Sequence, residues 1–120
     1  MTLEPSGKVQ IVSSATDQGQ GTSTGIAQIV GDRLGLTMDD ISITFSGDTA
    51  VTPYGGGAWA SRGLTIGGEA AWLAADALAE SLCTLAGAIL QMDPAKLEVS
   101  AGGICERETG DRRMSLAEVA

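Results

Sequence analysis

Apolar and polar residues alternate twice in the first half of the chain. Val9 and Ile11 share one face of residues 8–13, and Ile41, Ile43 and Phe45 share one face of Ile41–Phe45, the period of a half-buried strand. Between them the spacing becomes helical, with a stripe of Ile26, Ile29, Val30 and Leu34. Thr22 or Ser23 stands where this helix needs a cap, and Gly35 where it should end. A second helix is expected from about residue 67 to 91, stopped by Asp93-Pro94. Its polar positions, Glu69, Asp76, Glu80, Thr84 and Gln91, make one narrow stripe, so it needs cover on most of its sides. Residues 97–101 and 104–108 read as strands joined at Gly102-Gly103.

The pattern predicts an α+β fold, a two-layer β-α-β-α-β-β unit with both helices on one face of a mixed sheet. At 120 residues this is one domain, with residues 1–6 expected to be disordered or extraneous. Aromatics are 3% and there are 17 glycines, so the core must be Ala, Leu, Ile and Val in close contact. Ser115 and Glu118 have the spacing of a capping box. A helix beginning there, with the poorly covered long helix, leads us to expect a piece of a larger polypeptide.

Charge and composition narrow the chemistry. A net charge of −8 without a basic cluster gives nucleic-acid phosphates nothing to bind. Histidine is absent, which removes the commonest general base and zinc ligand. Cys83 and Cys105 read as buried small hydrophobes in a reducing, cytoplasmic setting. Residues 1–7 are polar, hold Pro5 and do not read as a secretion signal. Residues 70–90 carry Asp76 and Glu80, which argues against a membrane span.

Two segments remain with chemistry to explain. Asp17-Gln18-Gly19-Gln20-Gly21-Thr22-Ser23-Thr24 runs into the first helix, where free backbone N–H groups and the helix dipole can grip an anionic or heteroatom-rich ligand. On its own Gly19-Gln20-Gly21 reads first as a tight strand-to-helix turn. Residues 48–63 form a long loop with Pro53 and Gly55-Gly56-Gly57, and unstructured loops of this length are usually functional or disordered. Asp48 reads as a structural residue, shaping that loop with its neighbour Thr49. Arg62 is placed either to meet a phosphate or to pair with the acidic helix face.

In order, Gly19-Gln20-Gly21-Thr22, Ala27-Gln28-Ile29-Val30, Leu34-Gly35, Gly47-Asp48-Thr49, Thr52-Pro53-Tyr54-Gly55, Ala60-Ser61-Arg62 and Gly68-Glu69-Ala70 carry a resemblance. The chain resembles the molybdenum-binding large subunit of the xanthine dehydrogenase and aldehyde oxidase family, to which carbon monoxide dehydrogenase large chains belong. The resemblance implies that Gly19 and Gln20 touch a molybdopterin cofactor near its metal, and that Ala60, Ser61 and Gly63 hold the pterin and its phosphate through backbone N–H groups. Close backbone approach of this kind suits glycine and alanine. It implies a parent enzyme that hydroxylates an aldehyde, an N-heterocycle or a related small substrate with water as oxygen source. Its partners would be the remainder of the same large subunit and iron–sulfur and FAD subunits or domains. The family's glutamate base and its Phe-Arg-Gly-Phe loop have no counterpart in this chain, and no cysteine pattern suits an iron–sulfur cluster. The expectation is thus part of a cofactor cradle, with either the plain pterin or its cytosine dinucleotide form, no catalytic or metal-ligating residue, and no cofactor retained by these residues alone. The alternative is a stand-alone, non-catalytic binding or interaction domain.

Overall fold

In a computed structural model that describes residues 1–52 and 54–120, the alternating segments form strands and the periodic ones helices. Strands β1 (Thr2–Leu3), β2 (Val9–Ser13) and β3 (Ile41–Phe45) make a mixed sheet in that order, with β1 antiparallel and β3 parallel to β2. Val9 lies opposite Ile41 and Ile11 opposite Ile43, so the apolar sides of both strands coincide. Of residues 1–6, expected to be disordered or extraneous, Thr2 and Leu3 are ordered as β1 of this sheet. Pro53, one of the motif residues, lies outside the described residues.

The parallel connection runs through α1 (Thr22–Leu34), which ends at Gly35 in the left-handed conformation, φ 63°. Ile26, Val30 and Leu34 are buried as the stripe required, whereas Ile29 is only half-buried. Ile29 is spent on a different contact. A Cβ at Gly68 would lie 2.7 Å from Ile29 Cδ1, and one at Gly25 would lie 2.7 Å from Leu64 Cδ1. Glycines on each helix therefore admit a side chain of the other.

That contact explains why α2 (Arg62–Leu90) begins at Arg62 rather than near Gly67. In isolation Gly67 and Gly68 weaken a helix by about 1 kcal/mol each relative to alanine, but here they let α2 approach α1. An ion pair from Arg33 of α1 to Asp76 and the Arg33 guanidinium 5.7 Å from the Trp72 ring centre tie the two helices together. The helix continues unbroken through Ala77. By length and composition alone α2 could cross a membrane. Its buried face of Ala71, Ala75, Ala79, Leu82 and Ala86 joins one core with α1 and with strands of both sheets, while Leu73, Leu85 and Ile89 on its other sides remain exposed.

The α+β class holds and the β-α-β-α-β-β order is present, with β1 added before it and a further strand and short helix after it, but the strands divide between two sheets. Strands β4 (Leu97–Ser100), β5 (Gly103–Glu106) and β6 (Arg112–Ser115) form a separate antiparallel sheet. The cause is the length of α2. Its 29 residues span ~44 Å at ~1.5 Å per residue, close to the 46 Å long axis of the molecule, and carry the chain far from the first sheet. The hairpin turn is Ala101-Gly102, with φ 48° and 68°, one residue earlier than expected. Gly103 belongs to β5, where a Cβ would lie 2.7 Å from Met114 O across the ladder to β6. Strand β6 was hidden because Arg112-Arg113-Met114-Ser115 has no apolar alternation.

The expected capping box is formed. Ser115 N donates to Glu118 Oε2 at 2.7 Å, and Glu118 N donates to Ser115 Oγ at 3.3 Å. It starts α3 (Leu116–Val119), whose Leu116 and Val119 are buried. Cys83 and Cys105 are buried and unpaired, and burial pushes the Cys83 thiol above its usual pKa, away from the reactive thiolate. A thiol reagent should label neither cysteine in the folded chain and both after denaturation. Rapid labelling of the native protein would contradict this packing.

Candidate functional site

The turn into α1 is built by its own polar groups. Gly19 and Gly21 have φ 98° and 78°, and a Cβ at either would meet nothing within 4 Å. Glycine is therefore required here by backbone conformation rather than by space. Neither Thr22 nor Ser23 caps α1. Gly21 is the N-cap and offers no side chain, and the acceptor comes from Asp17. Its Oδ2 accepts from Ser23 N and from Ser23 Oγ, both at 2.8 Å, and its Oδ1 accepts from Gly19 N at 3.0 Å. These bonds, led by the Ser23 N–H, hold the Asp17 carboxyl below its ordinary pKa.

Gln20 is likewise engaged within the loop. Its amide nitrogen donates to Thr16 O at 2.8 Å and to Thr22 Oγ1 at 3.1 Å, and its amide oxygen accepts from Gln18 N at 2.6 Å. Thr22 is buried, at 3% exposure. The exposed Gln20 side chain therefore stands in a defined position at the loop surface, with acceptor capacity left on its oxygen.

The second segment is shaped in the same way. Asp48 Oδ1 accepts from Ala50 N at 2.8 Å, and Thr52 Oγ1 donates to Ser46 O and Asp48 O at 3.1 and 3.0 Å. Asp48 is thus a loop-forming residue as expected, with Ala50 and Thr52 as its partners rather than Thr49. Trp59 Nε1 donates to Gly56 O at 2.9 Å, and the Arg62 guanidinium lies 5.2 Å from the Trp59 ring centre. Ala60 and Ser61 are both left-handed, with φ 52° and 56°. Two consecutive non-glycine residues in this region cost about 1 kcal/mol or more each. Ser61 is the N-cap of α2 and its side chain makes no capping bond.

The two helix starts meet. A Cβ at Gly63 would lie 3.4 Å from Thr22 Oγ1, and a cleft of about 470 Å³ opens between them, lined by Gln18, Gln20, Gly21, Thr22, Trp59, Ser61, Arg62 and Gly63 among others. A second cavity of about 430 Å³ lies on the other side of Arg62 and Gly63, against the end of β2 and Tyr54 to Gly57. Of the residues expected at the site, Gln20, Ser61 and Gly63 line the cleft. Gly19 and Ala60 adjoin it without lining it, and Gly63 lies in the first turn of α2 rather than in the loop.

Arg62 makes no ion pair among the described residues, where the cations paired are Arg33, Arg107 and Arg113. It does not pair with the acidic helix face. In a chain of net charge −8, an arginine at the uncapped N-terminus of α2 is an electrostatic attractor for an anion. No cluster of acidic or cysteine side chains suited to a metal ion occurs among the described residues. Sequence reasoning assigned no role to Asp17 and Trp59. The signal for Asp17 was present, since an Asp-x-Gly turn before a helix lacking a capping side chain calls for such an acceptor.

Comparison with known proteins gives this geometry a context. Residues 1–120 match the family model described as the molybdopterin cofactor-binding domain. The chain is 39% identical over 114 residues to the 6-hydroxypseudooxynicotine dehydrogenase complex subunit gamma of Paenarthrobacter nicotinovorans, covering 95% of this chain and 14% of that protein. It is 31% identical over 121 residues to the xanthine dehydrogenase molybdenum-binding subunit of Escherichia coli O157:H7, covering 100% and 16% respectively. The crystal structure of quinoline 2-oxidoreductase from Pseudomonas putida 86 superposes with a TM-score of 0.84 at 33% identity, over 98% of this chain and 15% of that one. The chain thus spans about a seventh of the length of the relatives it matches.

Proposed function

The chain belongs to the molybdopterin cofactor-binding domain family, and from that premise we propose that it forms one wall of the cofactor cradle in a molybdenum hydroxylase. The enzyme would oxidise an aldehyde, an N-heterocycle or a related small substrate, with water as the oxygen source. The observation that carries this reading is the meeting of Gly19-Gln20-Gly21 and Ala60–Gly63, far apart in sequence, at one cleft beside an arginine with no acidic partner among the described residues.

The residues fit such a group. Gln20 offers acceptor capacity on a braced amide, Ser61 and Gly63 bring the start of α2 to the cleft with no side-chain cap, and Arg62 supplies positive charge. A pterin edge needs paired donors and acceptors, and its phosphate needs N–H groups and a cation. Gly19 and Ala60 contribute by shaping the backbone beside the cleft. When bound, the molybdenum and pterin supply the oxidative chemistry, and these residues hold and orient them. The reading covers either the plain pterin or its cytosine dinucleotide form. The remainder of the large subunit would supply the base and the substrate pocket, and iron–sulfur and FAD partners would carry the electrons away. Two buried thiols without a disulfide suit the cytoplasm.

Gln20→Ala in the full-length enzyme tests the reading. Removing a buried cofactor's hydrogen-bonding partner costs about 1–3 kcal/mol, equivalent to a loss of about tenfold to a hundredfold in molybdenum retained or in turnover. Fold stability should fall only modestly, because the three bonds lost lie in one exposed turn outside the apolar stripe. Full cofactor content and full activity in this variant would reduce the loop to a turn.

A further inference from the structure

The side-chain hydrogen bonds of the turn into α1 pass through Gln20 or Asp17, and the Asp17 contacts have a consequence for binding. The Asp17 carboxylate spans the turn, taking Gly19 N on one side and Ser23 N and Oγ on the other. It thereby fixes both flanks of Gln20. It also fills the place at the N-terminus of α1 where an external anion would sit. The two glycines of the turn are unsupported by packing, since a Cβ at either would meet open space. Hydrogen bonding is what holds their left-handed conformations.

We infer that Asp17 is a positioning residue: its carboxylate holds Gly19-Gln20-Gly21 in the form that presents Gln20 to the cleft, and it denies the N-terminus of α1 to any anionic part of the ligand. This rests on the reading of the cleft as a cofactor site. Asp17 touches no ligand in this scheme and acts through Gly19, Gln20 and Ser23. A residue that only capped α1 would affect stability alone, and a positioning residue affects cofactor retention beyond its effect on stability.

The test compares Asp17→Ala, Asp17→Asn, Gln20→Ala and Ala27→Gly in the full-length enzyme. Ala27 is buried within α1, at 5% exposure, so Ala27→Gly weakens the helix without touching the turn. Molybdenum and pterin are quantified per subunit, with thermal stability and amide hydrogen exchange over residues 16–24. Asp17→Ala should retain about tenfold less cofactor, as expected for losing hydrogen bonds to a charged acceptor. Exchange at Gly19 and Ser23 should accelerate. Asp17→Asn keeps the shape and one acceptor oxygen and should fall between Asp17→Ala and the parent, while Ala27→Gly should keep its cofactor.

Equal cofactor loss in Asp17→Ala and Ala27→Gly would make Asp17 a helix cap and overturn the inference. Normal content in Asp17→Ala with loss in Gln20→Ala would overturn it while leaving the cofactor site standing. Normal content in both would remove the reading of the site and the inference with it. If Asp17→Ala does not accumulate as folded enzyme, Asp17→Asn decides: parental cofactor content and parental exchange would overturn the inference, and reduced retention with faster exchange would support it.

Discussion

Gly35→Ala should destabilise the fold by about 2–5 kcal/mol, combining about 1–2 kcal/mol for an alanine in the left-handed region with about 1–3 kcal/mol for overpacking. Gly35 closes α1 with φ 63°, and a Cβ there would fall on the backbone nitrogen of Ala101 and lie 3.1 Å from Ser100 C. Both obstacles are main chain in the β4–β5 turn, whose Ala101 and Gly102 already have positive φ. Little can move without breaking the hairpin register. Gly19→Ala supplies the contrast, because its φ of 98° is strained but nothing lies within 4 Å of the added carbon. It should cost only about 1 kcal/mol. Denaturant unfolding of the two variants measures the difference, and equal stabilities would show that the close approach of α1 to the second sheet is wrong.

Arg62→Ala in the full-length enzyme should lower cofactor retention about tenfold to a hundredfold, the loss expected when a charged donor to an anion is removed. Arg62→Lys should be intermediate. Lysine keeps the charge but loses the planar guanidinium that lies over Trp59. Thermal stability should change little, since Arg62 holds no acidic side chain among the described residues. The decisive readout is molybdenum per subunit against melting temperature. Unchanged molybdenum with a lowered melting temperature would make Arg62 a structural brace for the Trp59 loop.

The elements with strong periodicity were legible from sequence. Strand β3 lies where Ile41, Ile43 and Phe45 alternate, and α1 ends at the glycine that its stripe pointed to. What escaped depended on distant contacts. Gly67 and Gly68 read as a helix boundary because a single sequence shows their low propensity and not the Ile29 side chain that Gly68 admits. The split into two sheets follows from where the far end of α2 delivers the chain, a tertiary fact with no local signature. Strand β6 is an edge strand stabilised by its neighbour and by the ion pair from Arg113 to Glu106, so no alternation marked it.

The proposed site drew its components from the family resemblance. The resemblance named Gln20, Ser61 and Gly63, whereas their approach to one cleft depends on how closely α1 and α2 pack. The left-handed pair at Ala60 and Ser61 was invisible as well, because neither residue type favours that conformation. Strain of this kind persists where surrounding structure enforces it, and it is common at binding sites.

Amide hydrogen exchange of the full-length enzyme, with and without its cofactor, tests the central claim most directly. Segments 17–24 and 58–64 should gain protection together on cofactor binding, while the β4–β5 hairpin, remote from the cleft, should exchange at the same rate in both states. Protection confined to other parts of the subunit, with both helix starts unchanged, would contradict the assignment of this cleft.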